Sequence, residues 1–196
     1  MLKYESIREL IGAAESSGKK ISEIVLPDQA VAMESGEDEL FSRMEDSFDV
    51  MAAAAERGRG EGLRSMSGLT GGEGYKMKLY AETGGLSGPS MTKAMSIALA
   101  VAGCNAAMGK IVATPTAGSC GILPGCLVTL FEEKRAEKRD IVMSMFTAGA
   151  FGMVIAKNAC IAGAQGGCQA PPAAHEKRRA PKQWQQRMDA QPRFAQ

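Results

Sequence analysis

A chain of 196 residues holds one globular domain, or a domain with a helical appendage, and two domains is the ceiling. Aromatics make up 5% of it against 23 Gly and 13 Met, so a core must come from Ala, Leu, Ile, Val and Met, which suits closely packed helices and argues against an all-β fold. The net charge of +1 gives no electrostatic case for nucleic acid or a membrane surface as a partner.

That near-neutral total hides two compositions. Residues 171–196 carry four Arg and two Lys against one Asp and one Glu, a net +4, which leaves −3 on residues 1–170. The same 26 residues hold four of the eight Pro, the one His (His175), the one Trp (Trp184), five Gln, and no Leu, Ile or Val. Such a stretch cannot build a core and is expected to be a disordered basic tail.

In chain order, Met1 to Lys20 is charged and amphipathic, without the apolar core and small-residue cleavage site of a signal peptide, so the expected compartment is the cytoplasm. Ile7, Leu10, Ile11 and Ala14 form one helical stripe that ends near Ser17-Gly18. Ile21 to Leu26 with Pro27 reads as a connection. Ser35 and Asp38 have the spacing of a capping box, and Phe41, Met44, Phe48, Met51 and Ala55 continue a second helix to a stop at Arg57-Gly58. Residues 1–58 are therefore expected to be N-terminal amphipathic helices.

Glycine then becomes dense through Pro89, with one short helix expected at Tyr75 to Glu82. The interleaved Ser and Thr favour tight turns that bring backbone N–H groups up to a ligand over a plain linker. Met91 to Met108 and Ile141 to Ala156 are apolar on nearly every face and read as buried helices, whose faces would be left bare if neighbouring helices were missing. Both runs are interrupted early, at Asn105 and Lys110 or at Lys157 and Asn158, and lack an aromatic belt, so a membrane span is not expected. Glu132 to Asp140 reads as a solvated helix end and turn.

Five cysteines at 104, 120, 126, 160 and 168, with no C-x-x-C pair, are no disulfide framework for a cytosolic chain. Cys104, Cys120, Cys126 and Cys160 lie in Ala-rich surroundings and read as buried structural thiols. Cys168 stands apart in Gly166-Gly167-Cys168-Gln169, where bare backbone could approach an inorganic cluster. There is no P-loop, nucleophile elbow or H-E-x-x-H, and a single His removes most His-based triads and zinc sites. What remains is acid/base chemistry by Lys, Glu or Cys, with Lys93, Lys110 and Lys157 as candidate bases, or electrophilic help from a cofactor.

Six blocks in a fixed order carry a resemblance: Ser67-Gly-Leu-Thr-Gly-Gly72, Ser87-Gly-Pro89, Asn105-Ala-Ala-Met-Gly109, Ala113-Thr-Pro-Thr-Ala-Gly-Ser119, Thr147-Ala-Gly-Ala-Phe-Gly152 and Gly166-Gly-Cys-Gln-Ala170. Over residues 3 to 170 the chain resembles the α chain of bacterial iron-sulfur-dependent L-serine dehydratase. The resemblance implies an all-α catalytic fragment over 59–170, a lyase that turns L-serine into pyruvate and ammonia, a 4Fe-4S cluster whose open iron assists loss of the hydroxyl, a β-chain partner and an oligomeric enzyme. It implies Cys168 as the first of three cluster ligands. The family continues past Gln-Ala as Glu-Val-Gly-Ser with two further ligand cysteines, whereas this sequence reads Pro171-Pro-Ala-Ala-His175, so a chain truncated and inactive by itself is expected, with 171–196 either disordered or an out-of-frame tail.

On side-chain chemistry and these blocks, Ser67, Thr70 and Ser87 are expected to contact substrate, Thr114, Thr116 and Ser119 to hold its carboxylate, and Asn158 and Gln169 to line the cluster side. Two alternatives stay open: a pyridoxal-phosphate lyase with a Lys Schiff base and Ala117-Gly-Ser119 around the phosphate, and a non-enzymatic helical binding or membrane-associated module.

Overall fold

A computed structural model describes residues 4–114 and 118–158. The described residues form seven α-helices and no strand: α1 (Ile7–Ser17), α2 (Ile21–Ala32), α3 (Glu37–Gly58), α4 (Glu73–Glu82), α5 (Pro89–Ala106), α6 (Ser119–Glu132) and α7 (Lys138–Asn158). The all-α expectation is met. The 171–196 tail lies outside the described residues.

The N-terminal stripe becomes α1, with Leu10 fully buried. Its first turn is capped by the Ser6 hydroxyl, which accepts from the Glu9 N–H at 3.2 Å, and Gly18 closes it in the left-handed conformation at φ 64°. The 21–32 stretch corrects the reading of a connection: it is helical throughout, with Pro27 inside it. Proline at that position removes one backbone hydrogen bond and crowds the Glu23 carbonyl, at a cost of about 3 kcal/mol. Burial of Val25 and Ala30 against α3 and α7 offsets that cost, which the local sequence does not reveal.

Helix α3 also starts differently from expectation. Its N-cap is Gly36, and the Ser35 hydroxyl bonds the Glu39 carboxylate at 2.6 Å instead of the backbone. Glu37, Asp38 and Glu39 place negative charge on the positive end of its dipole. The apolar face then runs as expected through Phe48, Met51 and Ala55, all buried. α3 packs against α5 and α6 and also against α2 and α7, while α4 packs on α5. One continuous core follows from that packing, uniting Phe48 and Met51 with Ile97 and Val101 of α5, Leu127 and Val128 of α6, and Val142 and Phe146 of α7.

Close approach to α5 is made by glycine. At Gly58 a Cβ would fall on the Ala100 backbone, and at Gly74 it would lie 2.6 Å from the Gly58 carbonyl oxygen and 2.7 Å from Ala100 Cα. At Gly121 and Gly125 of α6 it would meet the carbonyl oxygens of Ala98 at 2.5 Å and Ala94 at 2.8 Å. These pairings also fix α6 antiparallel to α5, because 121 faces 98 and 125 faces 94. Gly74 further explains why α4 begins at Glu73, two residues before the expected Tyr75: the glycine belongs to the helix as a packing residue.

At the far end of α6 a charged cluster ties three helices together. Arg59, its side chain only 10% exposed, bonds Glu132 at 2.6 Å and Glu56 at 3.1 Å, and Lys93 of α5 reaches Glu132 at 2.9 Å. Glu132 ends α6 with its side chain held in this ion-pair network, while Lys134, Arg135, Glu137, Arg139 and Asp140 beyond it are exposed, as expected of a solvated helix end and turn. Burial disfavours the charged form of Glu132, but the bonds from Arg59 and Lys93 outweigh that and hold its carboxyl below the usual range. α7 is long and apolar enough to cross a membrane by length and composition, yet it packs Ile141, Val142, Met145, Phe146, Ala150 and Val154 into the core.

Two outcomes follow from this packing. Gly58→Ala should lower the urea unfolding free energy by about 1–3 kcal/mol through overpacking, whereas Gly12→Ala, with open space around its Cβ position, should raise it by about 0.5–1 kcal/mol; equal effects would contradict the close approach. Because the Glu132 carboxyl is lowered on folding, its contribution is full above the ordinary carboxylate pKa near 4.3 and is lost as the pH falls through the lower folded value. Glu132→Gln should therefore cost about 1–2 kcal/mol at pH 7, between a surface and a buried pair, and the gap to the wild type should close below about pH 4.

Candidate functional site

The expected site residues fall at two opposite ends of α5. At its C-terminal end the chain leaves the helix through a Schellman turn: Gly109 N–H donates to the Cys104 carbonyl at 2.8 Å and Met108 N–H to that of Asn105 at 3.0 Å. Met108 supplies the left-handed residue at φ 58°, a conformation that costs a non-glycine residue about 1 kcal/mol. Gly109 cannot carry a side chain, since a Cβ there would strike Cys104 Sγ and lie 2.8 Å from the Cys104 carbonyl oxygen. This geometry accounts for the Asn105-Ala-Ala-Met-Gly109 block in physical terms.

Against that turn sits the first serine- and threonine-rich loop. Met66 N–H donates to the Ala106 carbonyl at 3.1 Å, and the loop closes on itself through Ser65 N–H to Thr70 carbonyl at 2.9 Å and the Arg64–Gly71 bridge. Inside it the Ser65 and Ser67 hydroxyls are 3.1 Å apart, Ser65 Oγ accepts from the Thr70 N–H at 3.2 Å, and the Ser67 and Thr70 side chains face solvent. Gly71 N–H donates to the Glu73 carboxylate at 3.0 Å, and the backbone bonds there draw that carboxyl's pKa down. Ser65 was not singled out from the sequence, although it stands two residues before Ser67 in the same run.

The second loop reaches the same end of α5. Since Gly121 backs onto Ala98, the first turn of α6 is level with the last turns of α5. There the Thr114 and Ser119 hydroxyls are 2.6 Å apart, and buried Cys120 accepts from the Thr114 N–H at 3.3 Å and hydroxyl at 3.2 Å. Both hydroxyls stand at the positive end of the α6 dipole, a setting that favours an anion. Arg57, which the sequence reading passed over, brings a guanidinium to this end and donates to the Ala107 carbonyl at 3.4 Å. It occupies the last turn of α3, where the sequence marks only a helix stop at Arg57-Gly58.

Ser87 is elsewhere. It precedes Gly88 and Pro89 at the N-terminal end of α5, so 18 helical residues, about 27 Å at 1.5 Å each, separate it from the Ser67 loop. One small substrate cannot touch both. Lys93 is committed to Glu132, which removes it as a free base or Schiff-base lysine, and Lys110 is exposed. Thr116, Cys168 and Gln169 lie outside the described residues. Asn158 closes α7, and neither its side chain nor that of Lys157 is described.

The cluster implied by the resemblance does not fit the described residues. Among them no group of three or more His, Cys, Asp or Glu could hold a metal. Cys104 is buried against Gly109 and Cys120 is bonded by Thr114. Cys126 corrects an expectation: it is exposed, because it shares the outer stripe of α6 with Ile122 and Leu130 at four-residue spacing. Under native alkylation, Cys126 should therefore react well before Cys104 and Cys120, and Thr114→Val should speed Cys120 labelling several-fold, as followed by peptide mass spectrometry. Unchanged Cys120 labelling would show that Thr114 does not shield the thiol.

The family model described as serine dehydratase alpha chain matches residues 16–174. The probable L-serine dehydratase alpha chain of Bacillus subtilis is 41% identical over 168 residues, covering 85% of this chain and 56% of that protein. The L-serine dehydratase alpha chain of Peptoniphilus asaccharolyticus is 35% identical over 164 residues, covering 83% and 56%. The L-serine dehydratase of Streptomyces coelicolor is 31% identical over 169 residues, covering 82% and 36%. The chain thus spans about half the length of the first two relatives, and no solved structure matches it. With more than three-quarters of its length matched in order, the chain belongs to the serine dehydratase alpha chain family.

Proposed function

We propose that this chain supplies part of the catalytic portion of an L-serine ammonia-lyase, which removes water from L-serine to give 2-aminoacrylate, whose imine tautomer hydrolyses to pyruvate and ammonia. The supporting observation is that the Ser65–Thr70 and Thr114–Ser119 hydroxyl clusters both lie toward the C-terminal end of α5, in a chain 41% identical to a protein named for this activity.

In this reading the substrate carboxylate lies at the N-terminus of α6, where the Thr114 and Ser119 hydroxyls and the helix dipole favour negative charge, with Thr116 in the same segment. Ser67 and Thr70 face the polar remainder of the amino acid, and Arg57 adds positive charge to that end. Ser87, a helix length away, has no part in it. Asn158 and Gln169 are assigned in this reading to the cluster side. The 4Fe-4S cluster belongs to the reading through Cys168 alone, and no step is drawn through it because the described residues form no ligand set. The β chain, an oligomeric assembly and a cytoplasmic setting complete the proposal.

The test is formation of pyruvate from L-serine under anaerobic conditions. This 196-residue chain by itself should give no turnover. Joined to the part of the Bacillus subtilis α chain outside the match and supplied with a β chain, iron and sulfide, it should give pyruvate, and failure of that assembly would overturn the reading. In the active assembly Thr114→Val and Ser119→Ala should each lower kcat/KM roughly 10–100-fold, as loss of a hydrogen bond to a charged group predicts, while Ser87→Ala should leave it unchanged.

A further inference from the structure

The packing of α5 and α6 leaves one face bare. Ala94 and Ala98 of α5 meet Gly121 and Gly125 of α6 along the seam. Beside that seam, Met91, Met95 and Leu99 of α5 are 57%, 44% and 41% exposed, and Ile122 and Leu130 of α6 are 63% and 38% exposed, with Cys126 between them also exposed. Each set repeats every four residues, so each is a stripe along its own helix. The stripes share one side: Met91 and Ala94 form a single groove with Cys126, Thr129 and Leu130. Six neighbouring side chains without a charge among them exceed the scattered apolar exposure of an ordinary surface, and such patches mark interaction sites.

We infer that this seam is the docking face for helical chain that the longer members of the family carry outside the region matched here. Two observations select that occupant. The Bacillus subtilis and Peptoniphilus asaccharolyticus α chains are each covered over only 56% of their length, so both hold a large further portion that has to pack somewhere. Away from this flank α5 is covered by α3, α4 and α6, which leaves the side beside the seam uncovered. The exposed stripes run over 91–99 and 122–130, about 12 Å along each helix, so the occupant is an amphipathic helix presenting two to three turns with apolar residues at i, i+3, i+4 and i+7. The rim at one end is polar, with Ser90 and Arg135 both bonded to Glu133, and would register the end of that helix. This inference rests on family membership and not on serine chemistry.

The test compares the 196-residue chain with a chimera continued, after residue 174, into the unmatched portion of the Bacillus subtilis α chain. Cys126 alkylation, read by peptide mass spectrometry, should be at least tenfold slower in the chimera. Met95→Glu with Ile122→Glu should restore fast labelling there, and in the 196-residue chain it should cut binding of an apolar fluorescent dye several-fold while leaving the helical circular dichroism unchanged. A soluble chimera whose Cys126 labels as fast as in the shorter chain overturns the inference, and so does a chimera that stays insoluble. Concentration-dependent dimers of the 196-residue chain with Cys126 protected would assign the face to a second copy and overturn it equally.

Discussion

Everything in this fold hangs on how closely three helices approach α5. Helix axes ordinarily pack 8–10 Å apart, and the separation is set by the side chains at the contact. Here Gly58, Gly74, Gly121 and Gly125 remove the side chain from one partner, and Ala94, Ala98 and Ala100 keep it minimal on the other. Backbone then meets backbone, and small changes in volume have no flexible neighbour to absorb them. The same contacts give α6 its antiparallel register against α5, which carries the Thr114–Ser119 pair toward the same end of α5 as the Ser65–Thr70 loop. A packing constraint thereby becomes the reason two hydroxyl clusters, some fifty residues apart in sequence, share one end of a helix.

The charged cluster around Glu132 serves the opposite end. Arg59 follows directly on Gly58, so the glycine contact that seats α3 on α5 also delivers a guanidinium to the C-terminus of α6. There it satisfies a half-buried carboxylate that Lys93 shares. The two terminal nitrogens of Arg59 carry these bonds, Nη1 and Nη2 to Glu132 and Nη2 also to Glu56. Separate ends of α5 carry separate tasks: ion pairing at one, and a turn with anion-favouring hydroxyls at the other. This division is why Lys93, attractive as a base when only its sequence position is known, turns out to be a structural cation.

Much of the architecture was legible because apolar spacing is a local property. The stripes of α1 and α3, and the all-round apolar runs of α5 and α7, each announce a helix from neighbours three and four residues apart. Two helices resist that reading for the same reason. α2 contains Pro27 and α6 contains Pro124, and a proline inside a helix is locally unfavourable whatever the tertiary context later offsets. Pro124 is among the most deeply buried side chains, so its cost is set against packing that no window of sequence contains. At the site, the Ser and Thr blocks could be picked out by type, but their placement could not. Ser67 and Ser87 look equivalent in a Gly-rich stretch, and only the length and direction of α5 separate them. Arg57 was missed because nothing local distinguishes a guanidinium beside a helix C-terminus from a solvated one.

The all-round apolar character of α5 carries a further argument. A helix that needs apolar residues on every side is one meant to be surrounded. Among the described residues α5 is enclosed on the sides that hold Ile97, Ala100, Val101 and Cys104, while Met91, Met95 and Leu99 meet solvent. Its sequence is therefore that of a central helix, and its surroundings here are those of a peripheral one. Sequences become consistent with structure when local pattern and packing agree. The disagreement is confined to one flank, in a chain that covers little more than half of its relatives. The pattern written into α5 is thus that of an enclosed helix, and its uncovered flank is the face on which the proposed docking helix would restore the agreement.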